Sequence, residues 1–305
     1  VRHSEGEGAG LIQHDLGLAL FLTGSGLNVT CINMMLTQRF APADLRRESA
    51  FFWNYAGMNM GFFIGFAVAG HYQLTEDYSR LFLFATVGNF LAIVLAFFNW
   101  KALADRSTRL LEVTPRQYKA RFVAGIAILI GIVPIVWFML QRTGSTSTLF
   151  KSFSVVLAGV LVYLTLKHRD ARERNNMWAF LILALGSLVF WSLYQMAPNG
   201  LQLFAVNNVR LRVWGVEVAP QWIQNINTVS IVIGGPLLAA LFAKWRARGW
   251  KIDIPQQFAV ALILMGLGFL ALPVGISFAD AAGKTAFAWL FASYVLQSVG
   301  ELLIS

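Results

Sequence analysis

Charged residues are scarce in this sequence of 305 residues, since Asp, Glu, Lys and Arg together make up only 13% of it. A soluble domain carries about 25% charged residues, so an ordinary soluble fold is excluded. Disordered chains are rich in charge and poor in aromatic residues, and the 14% aromatic content here excludes disorder as well. With 57% hydrophobic residues and a mean hydropathy of +0.61, the chain has the composition of a membrane protein.

Cysteine and histidine are scarce too. Cys31 is the sole cysteine, so no disulfide can form within the chain. The four histidines lie far apart, without the spacing of a metal site. No nucleophile and base, and no pair of carboxylates, stand at catalytic spacing. The sequence therefore predicts no metal, no cofactor and no enzymatic activity.

Long apolar runs are abundant. A membrane-spanning helix needs about 20 mostly apolar residues, and nine stretches meet or nearly meet this length. We expect spans near residues 11–36, 49–70, 80–99, 121–140, 149–166, 177–197, 221–243, 255–277 and 286–305. The sequence therefore predicts an all-α, multi-pass membrane protein with about nine transmembrane helices in a lipid bilayer.

The basic residues are concentrated in every second connection between these spans. The connections at 37–48, 101–121, 167–174 and 244–251 hold 3, 6, 4 and 4 Lys or Arg residues, 17 of the chain's 24. The positive-inside rule assigns such connections to the cytoplasm. The net charge of +9 is thereby explained by the cytoplasmic ends of helices, and we do not expect nucleic acid as a partner.

One carboxylate, Glu301, lies inside the last apolar span, about 15 residues from its start. Tyr294, Gln297, Ser298 and Ser305 lie three, four or seven residues away, which is the spacing of one helical face. Ionisable groups inside a membrane are costly and mark binding sites or proton pathways. Glu301 is therefore a candidate for proton exchange or for binding an ammonium group. The alternative is a structural carboxylate paired with a basic residue on another helix.

Two other spans carry amide side chains. In the second span, Tyr55 and Asn59 share a face at the i, i+4 spacing. For Asn59, an interhelical hydrogen bond and a ligand contact explain the pattern equally well. In the seventh span, Gln224 and Asn227 lie about one turn apart. The second span also contains a seam of glycines that favours close helix packing, at Gly57, Gly61 and Gly65.

Four stretches follow one another in the order of a known family's motifs. They are Asp44-x-Arg46-Arg47-Glu48-x-x-Phe51 with Tyr55-x-Gly57-x-Asn59-x-Gly61, then Phe190-Trp191-x-Leu193-Tyr194 with Leu201-x-Leu203-Phe204-Ala205, then Trp222-x-Gln224-x-x-Asn227, and finally the run from Ala292 to Ser305. Together they resemble the proton-dependent oligopeptide transporters, which adopt the major facilitator fold. The last stretch is the most specific, and it is very similar to the enterobacterial di- and tripeptide permeases.

The resemblance implies a partial major facilitator superfamily fold and an internal fragment of a longer chain. The first three spans would be family helices 4–6, the next two the pair that bacterial members insert, and the last four helices 7–10. Helices 1–3, with the family's Glu-x-x-Glu-Arg-Phe motif, would lie outside this stretch. We expect residues 1–100 to belong to the N-terminal bundle, 101–175 to a basic linker with the two inserted helices, and 176–305 to the C-terminal bundle.

The resemblance also implies roles for single residues. Asn59 matches an asparagine that bonds the backbone of the bound peptide, and Tyr55 matches a tyrosine of the same pocket. Trp191 stands where the family keeps an aromatic pocket wall. Asn227 matches an asparagine near the peptide's amino end. Glu301 matches the carboxylate that pairs with the peptide's amino terminus, and it is also the candidate for proton coupling.

Two positions depart from the family pattern. Val29 stands where the fourth helix usually carries a lysine that helps to hold the peptide carboxylate and takes part in proton coupling. Gln195 stands where many relatives have a glutamate, although the enterobacterial permeases lack it too. Because glutamine cannot titrate, both departures bear on proton coupling and on selectivity for free peptide carboxylates.

The function that the resemblance implies is the import of di- or tripeptides by proton symport through alternating access. The protein would be a monomer in the bacterial inner membrane, with peptides and protons as its partners. A second hypothesis, favoured by Val29, is a major facilitator transporter of another amphipathic solute with altered or absent proton coupling. A third, a non-transporting receptor or scaffold, would be expected to carry a sizeable soluble domain, which this stretch does not show.

Overall fold

The protein is almost entirely helical in a computed structural model that describes residues 2–41, 44, 46–106, 108–250 and 253–304, with the side chains at 2–12, 28–30, 48, 49 and 52 left out. The helices are α1 (Arg2–Thr37), α2 (Arg46–Leu74), α3 (Tyr78–Phe98), α4 (Trp100–Leu103), α5 (Pro115–Gln141), α6 (Thr143–Lys167), α7 (Ala171–Tyr194), α8 (Gln202–Asn208), α9 (Gln224–Ala247), α10 (Ile254–Ile276) and α11 (Phe287–Ile304). A π-helical turn, Ala197–Leu201, precedes α8, and a 3₁₀ turn, Pro220–Ile223, leads into α9. Two antiparallel strands of two residues each, β1 (Arg212–Val213) and β2 (Val216–Glu217), form a hairpin between α8 and the 3₁₀ turn.

Nine of these helices are long, and they coincide in order with the nine predicted spans. Within the described residues, eight stretches are long and apolar enough to cross a bilayer by length and composition: α1 from residue 13, α3, α5, α6, α7 through α8, the 3₁₀ turn through α9, α10 and α11. Helix α2 is not among them because Asn54, Asn59 and several glycines interrupt its apolar residues. The predicted all-α membrane architecture is therefore confirmed.

Capping side chains set the start of α5 and α7, two helices that follow basic connections. Thr114 forms a capping box before α5: the Gln117 N–H donates to Thr114 Oγ1 at 3.4 Å, and the Thr114 N–H donates to Gln117 Oε1 at 3.3 Å. Pro115 takes the first helical position, where a missing N–H costs no hydrogen bond. Asp170 caps α7 by accepting the Arg172 N–H at 2.9 Å. These helices therefore begin where the charge pattern places the cytoplasm.

The chain forms two compact units. The first consists of Val1–Phe51 and Ile93–Arg169, and the second of Phe52–Ala92 and Asp170–Ser305. In the first unit α1 packs against α5, whereas in the second α11 packs against both α9 and α10, and α7 packs against α10. The second unit contains every candidate site residue except Val29.

Two clusters of buried apolar side chains hold the second unit together. One joins the segment around α8 to α9, α10 and α11: Ala197, Leu201, Ala205, Val209, Ile223, Leu272, Leu290 and Tyr294. The other joins α7 to α10 through Phe190, Ala261 and Met265. A Cβ at Gly300 of α11 would lie 3.0 Å from the Ala261 oxygen and 3.2 Å from Phe190 Cε2. Glycine at this position therefore lets α11 approach α7 and α10 closely, next to Glu301.

The turn before α11 is attached to the end of α8. Lys284 Nζ donates to the carbonyl oxygens of Val206 at 2.9 Å and Asn207 at 2.7 Å, which satisfies carbonyls that a helix end leaves unpaired. The Lys284 N–H donates to Asp280 Oδ1 at 3.0 Å. This hydrogen bond, together with nearby Arg210, holds the pKa of Asp280 below its usual range. These contacts position the start of α11.

Candidate functional site

A cavity of about 440 Å³ opens among α2, the π-helical turn, α9 and α11 of the second unit. This volume lies within the range of about 300–1,000 Å³ that is typical of small-molecule pockets. Its lining residues are Tyr55, Met58, Asn59, Phe62, Phe66, Tyr194, Gln195, Ala197, Pro198, Gln224, Asn227, Thr228, Tyr294, Gln297 and Glu301. We call this cavity the central pocket.

Glu301 and Asn227 form the polar centre of the central pocket. Asn227 Nδ2 donates to Glu301 Oε2 at 2.8 Å and to Ser298 Oγ at 3.0 Å. The Tyr194 hydroxyl donates to Asn227 Oδ1 at 3.3 Å. The Asn227 amide thus uses both its donor and its acceptor, which orients it and holds the nearly buried carboxylate of Glu301. Three helices, α7, α9 and α11, contribute to this arrangement.

A second set of hydrogen bonds lies at the π-helical turn, on the wall of the central pocket. Gln224 Nε2 and the Tyr294 hydroxyl both donate to the Ala197 carbonyl, at 3.0 Å and 3.1 Å. The π-helical hydrogen-bonding pattern leaves this carbonyl close to α9 and α11, so two buried side chains satisfy it. The shared acceptor ties the end of α7 to α9 and α11 beside Glu301.

Helix α2 is held against the start of α9 by an indole ring. Trp222 Nε1 donates to the Ala67 carbonyl at 2.9 Å, and the Gln221 N–H donates to Gln73 Oε1 at 3.1 Å. The indole lies directly over Gly70, where any side chain would overlap it. The contact leaves Asn59, three turns before Gly70, on the wall of the central pocket.

Glu301 is the one charged residue that lines the central pocket in the described part of the chain. The other polar lining groups are amides and hydroxyls. Asn59 Nδ2 donates to the Tyr55 carbonyl at 2.9 Å, and Gln297 Nε2 donates to Ser293 Oγ at 2.9 Å, while Gln297 Oε1 is buried without a partner among the described residues. A carboxylate in such surroundings needs a proton or a cationic ligand to offset its desolvation. The pocket is therefore suited to an ammonium group.

The structure brings together most of the residues singled out from the sequence. Tyr55, Asn59, Asn227 and Glu301 line one cavity, and Gln195 lines it as well. The predicted polar stripe of α11 also reaches it through Tyr294 and Gln297, whereas Ser305 lies outside the described residues. These placements agree with the predicted positions, and the roles of the side chains remain predictions.

Trp191 is not among the described residues that line the central pocket. Its indole meets the ring of Tyr194 edge to face, with centroids 5.2 Å apart, and Tyr194 does line the pocket. The side chain of Val29 lies outside the description. Trp191 therefore contacts a lining residue of the central pocket, and its role as a pocket wall stays a prediction.

In the described structure, no other helix lies close to the glycine seam of α2. A Cβ built at Gly57, Gly61 or Gly65 would have no atom within 4 Å in the described structure. The close helix packing that these glycines predict is therefore not made by the described part of this chain.

Sequence reasoning did not assign Tyr194, Met58, Phe62, Phe66 or Thr228 to the site. The α2 residues could have been found, because positions 55, 59, 62 and 66 follow the spacing of one helical face. Thr228 directly follows Asn227 and carries no signal of its own. Tyr194 is the last residue of α7, where the helix gives way to a turn, so helical periodicity could not place it.

No group of three or more His, Cys, Asp or Glu residues in the described ranges could hold a metal ion. Glu301 has amide and hydroxyl neighbours rather than further metal ligands.

Comparison with known proteins gives one consistent result. The family model PTR2, described as the POT family, matches residues 13–305. Dipeptide and tripeptide permease A of Klebsiella pneumoniae (strain 342) is 30% identical over 293 residues, which cover 95% of this chain and 57% of the permease. The same permease of Escherichia coli (strain K12) is 29% identical over 303 residues, covering 98% and 58%.

A solved structure agrees with these sequence matches. A crystal structure of a mutant of peptide transporter POT in complex with alafosfalin has a TM-score of 0.72 and 27% identity, and it covers 88% of this chain and 55% of that one. The chain therefore spans a little more than half the length of the relatives that it matches.

Proposed function

The chain belongs to the POT family, and on that premise we propose that it is part of a secondary transporter that imports di- and tripeptides together with protons by alternating access. The family predicted from the sequence motifs is thereby confirmed. The protein is a multi-pass protein of the bacterial inner membrane, and its relatives are permeases and transporters rather than enzymes. The observation that carries the proposal is the nearly buried Glu301, held by Asn227 in the central pocket.

In this proposal the amino terminus of a peptide binds the carboxylate of Glu301. A charge-assisted hydrogen bond from an ammonium group to a carboxylate is about twice as strong as a neutral one. Asn227 orients the carboxylate, and Asn59 and Tyr55 on α2 supply polar groups to the peptide backbone. The amides can pair with any peptide, whatever its side chains, because the backbone groups are the same in all of them.

The same carboxylate accounts for proton coupling. A buried carboxylate without a cation is costly, so an empty pocket favours a protonated Glu301. Binding of a peptide ammonium favours the ionised form of Glu301 and displaces its proton. Symport then requires that this proton pass to another group of the full-length protein and cross the membrane with the peptide, so Glu301 links protonation of the protein to peptide binding.

Peptide uptake by the full-length protein tests this role. Glu301→Gln keeps an oxygen that can accept the hydrogen bond from Asn227 but removes the charge. We expect uptake of a labelled dipeptide to fall about 10-fold or more, because a hydrogen bond to a charged group contributes about 1.5–3 kcal/mol, and we expect the remaining uptake to lose its pH dependence. Glu217→Gln, an exposed carboxylate in the hairpin, is the matched control. Equal uptake by Glu301→Gln and the wild type would exclude the proposed role.

A second candidate is the transport of another amphipathic solute with altered or absent proton coupling. Val29 favours it, because the family resemblance implies a lysine at this position that helps to hold the peptide carboxylate. Among the described residues the central pocket also offers no cation to a peptide's carboxyl end. Competition by dialanine separates the two candidates: strong competition against uptake of the labelled substrate favours a peptide, and its absence favours the other solute.

We also propose that one polypeptide forms the transport unit, because a single chain can supply the carboxylate, the amides and the aromatic side chains of the central pocket. The division into residues 1–100, 101–175 and 176–305 belongs to the same proposal, with the first and last parts contributing to the two bundles. Sedimentation of the full-length protein in detergent tests the first point, because a stable dimer or tetramer would contradict it.

A further inference from the structure

The first unit has a cavity of its own, of about 700 Å³. It is formed by the end of α1, the connection to α2, the start of α2 and the segment before α5. Three arginines line it, Arg39, Arg47 and Arg109, together with the apolar side chains of Met34 and Phe40. We call this cavity the arginine pocket. No carboxylate lines it among the residues that the structure describes.

The acidic groups nearby already have other partners. Asp44 is held by Arg46, which does not line the pocket, with Nη2 at 2.8 Å from Oδ2 and Nε at 3.1 Å from Oδ1. Asp105 accepts the Thr108 N–H at 3.2 Å. Glu48 lies beside Arg47 in the sequence, and its side chain is outside the description. Among the described residues, none of the three pocket arginines forms an ion pair.

The guanidinium of Arg39 is fixed by one hydrogen bond, and another of its donors is unpaired in the described structure. Its Nη2 donates to the Ala104 carbonyl at 2.8 Å, which fixes the guanidinium between the end of α1 and the segment after α4. Gln38 supports the same arrangement by accepting the Arg106 N–H at 3.1 Å. The other terminal nitrogen of Arg39, Nη1, is buried without a hydrogen-bond partner in the described structure. A buried charged donor without an acceptor is destabilising, so an acceptor from outside the chain would stabilise it.

We propose that the arginine pocket binds a phosphate group, and that this group belongs to the headgroup of an anionic phospholipid. Guanidinium groups match phosphate oxygens with paired hydrogen bonds, and several arginines around one cavity favour a ligand with more than one acceptor. Met34 and Phe40 give the same cavity an apolar wall, which suits the glycerol and acyl portion of a lipid better than a free ion.

The position of the pocket along the chain supports the same ligand. Apart from Met34 at the end of α1, its lining residues come from the connections at 37–48 and 101–121, which hold 3 and 6 of the basic residues and are assigned to the cytoplasmic side. Basic groups next to a membrane-spanning helix attract anionic headgroups at that surface. Free inorganic phosphate offers the same chemistry, and the experiment distinguishes the two sources.

Native mass spectrometry of the purified full-length protein, in an uncharged detergent, tests the proposal. Phosphatidylglycerol is the probe, phosphatidylcholine is the neutral comparison, and millimolar inorganic phosphate is the competitor. In the double variant Arg39→Gln, Arg109→Gln we expect phosphatidylglycerol to bind about 10-fold more weakly, which corresponds to about 1.4 kcal/mol. Arg116→Gln, an exposed arginine of the same basic connection that does not line the pocket, is the matched control and should bind as the wild type does.

Each outcome decides the proposal. Selective weakening of phosphatidylglycerol binding in the double variant, without competition by inorganic phosphate, supports a lipid headgroup. Competition by inorganic phosphate in the wild type, lost in the double variant, supports the phosphate site but assigns it to the free ion. Equal affinity of the double variant and the wild type for phosphatidylglycerol overturns the proposal.

Two single variants test the proposal if the double variant fails to fold. Arg109 is exposed, so Arg109→Gln by itself removes one pocket charge without disturbing packing. Arg39→Lys keeps the positive charge at this position but loses the paired donors of the guanidinium. We expect both single variants to weaken phosphatidylglycerol binding less than the double variant does, and wild-type affinity in both would contradict the assignment.

Discussion

Helices α5 and α6 of the first unit and helices α10 and α11 of the second are all long and apolar enough to cross a bilayer. They differ in what they bury. Over its described length α5 buries no residue, and α6 buries Thr165. Helix α11 buries residues on one continuous face: Leu290, Ser293, Tyr294, Gln297, Ser298, Gly300 and Glu301.

This difference indicates where the polar, functional side chains of an apolar chain lie. Large side chains of α5 and α6 point outward, which is favourable in lipid, since lipid tails are as apolar as the side chains. Polar groups cannot do the same, because the hydrocarbon core offers them no partner. Several of them lie on the buried face of α11, where hydrogen bonds from α9 and within α11 pair most of their polar atoms and leave Gln297 Oε1 without a partner among the described residues.

Truncation of a buried apolar side chain should have the largest effect. Met265 on α10 is completely buried, whereas Ile128 on α5 is 62% exposed. We expect Met265→Ala to destabilise the protein by about 2–5 kcal/mol through the cavity it leaves, and Ile128→Ala by less than about 1 kcal/mol. Thermal unfolding of both variants in the same detergent checks this. Similar decreases in Tm would mean that the two helices do not differ in packing.

Addition of one methyl group should give the next largest effect. Gly300→Ala would force a Cβ to within 3.0 Å of the Ala261 carbonyl, and we expect a loss of about 1–3 kcal/mol. Gly125 on α5 has no atom within 4 Å of such a Cβ. Gly125→Ala should therefore be neutral or slightly stabilising, since alanine favours helix. The Tm of each variant is the measurement, and a destabilised Gly125→Ala would argue against an open face on α5.

Removal of the amide that holds Glu301 should be somewhat milder for stability. Asn227→Leu takes away the donor to Glu301 and the acceptor of Tyr194, and we expect a cost of about 1–2 kcal/mol. Uptake of a labelled dipeptide should fall as well. Asn89→Leu on α3 replaces an exposed asparagine and should leave both stability and uptake close to wild type. Equal uptake by Asn227→Leu and Asn89→Leu would remove Asn227 from the site.

The smallest effect concerns the pH dependence of the turn before α11. The pKa of Asp280 is lowered by the Lys284 N–H, so its ionised form is stabilised in the folded state. That contribution is present above the ordinary value of 3.8 and is lost as the pH falls through the lowered pKa. At neutral pH we expect Asp280→Asn to have a slightly lower Tm than wild type, with the gap closing below about pH 4. A gap that stays constant with pH would contradict this.

Much of the fold followed from single-helix patterns. The predicted spans 255–277 and 80–99 correspond to Ile254–Ile276 and Tyr78–Phe98, because length and hydropathy decide where a helix can cross a bilayer. Spacing within α11 also predicted that Gln297 and Tyr294 share a face with Glu301, and all three line the central pocket. Such predictions need only the geometry of one helix.

Contacts between helices could not be predicted in this way. Nothing in the sequence pairs Trp222 with the Ala67 carbonyl, 155 residues away, or indicates that the indole lies over Gly70. The motif resemblance favoured Trp191 as the pocket wall, whereas Tyr194 is the residue that reaches the central pocket. Helix α7 ends at Tyr194, and the turn that follows changes which side chains face inward.

Hydropathy and helix length alone identify a helical membrane protein and mark Glu301 as a costly group inside it, because a bilayer restricts both helix length and charge. The groups that contact this carboxylate are known only from the packing of the helices. Asn227 reaches Glu301, and Tyr194 reaches Asn227, because three helices pack around Gly300 and the Ala197 carbonyl. Such contacts between side chains of different helices depend on helix packing, which helical periodicity does not specify.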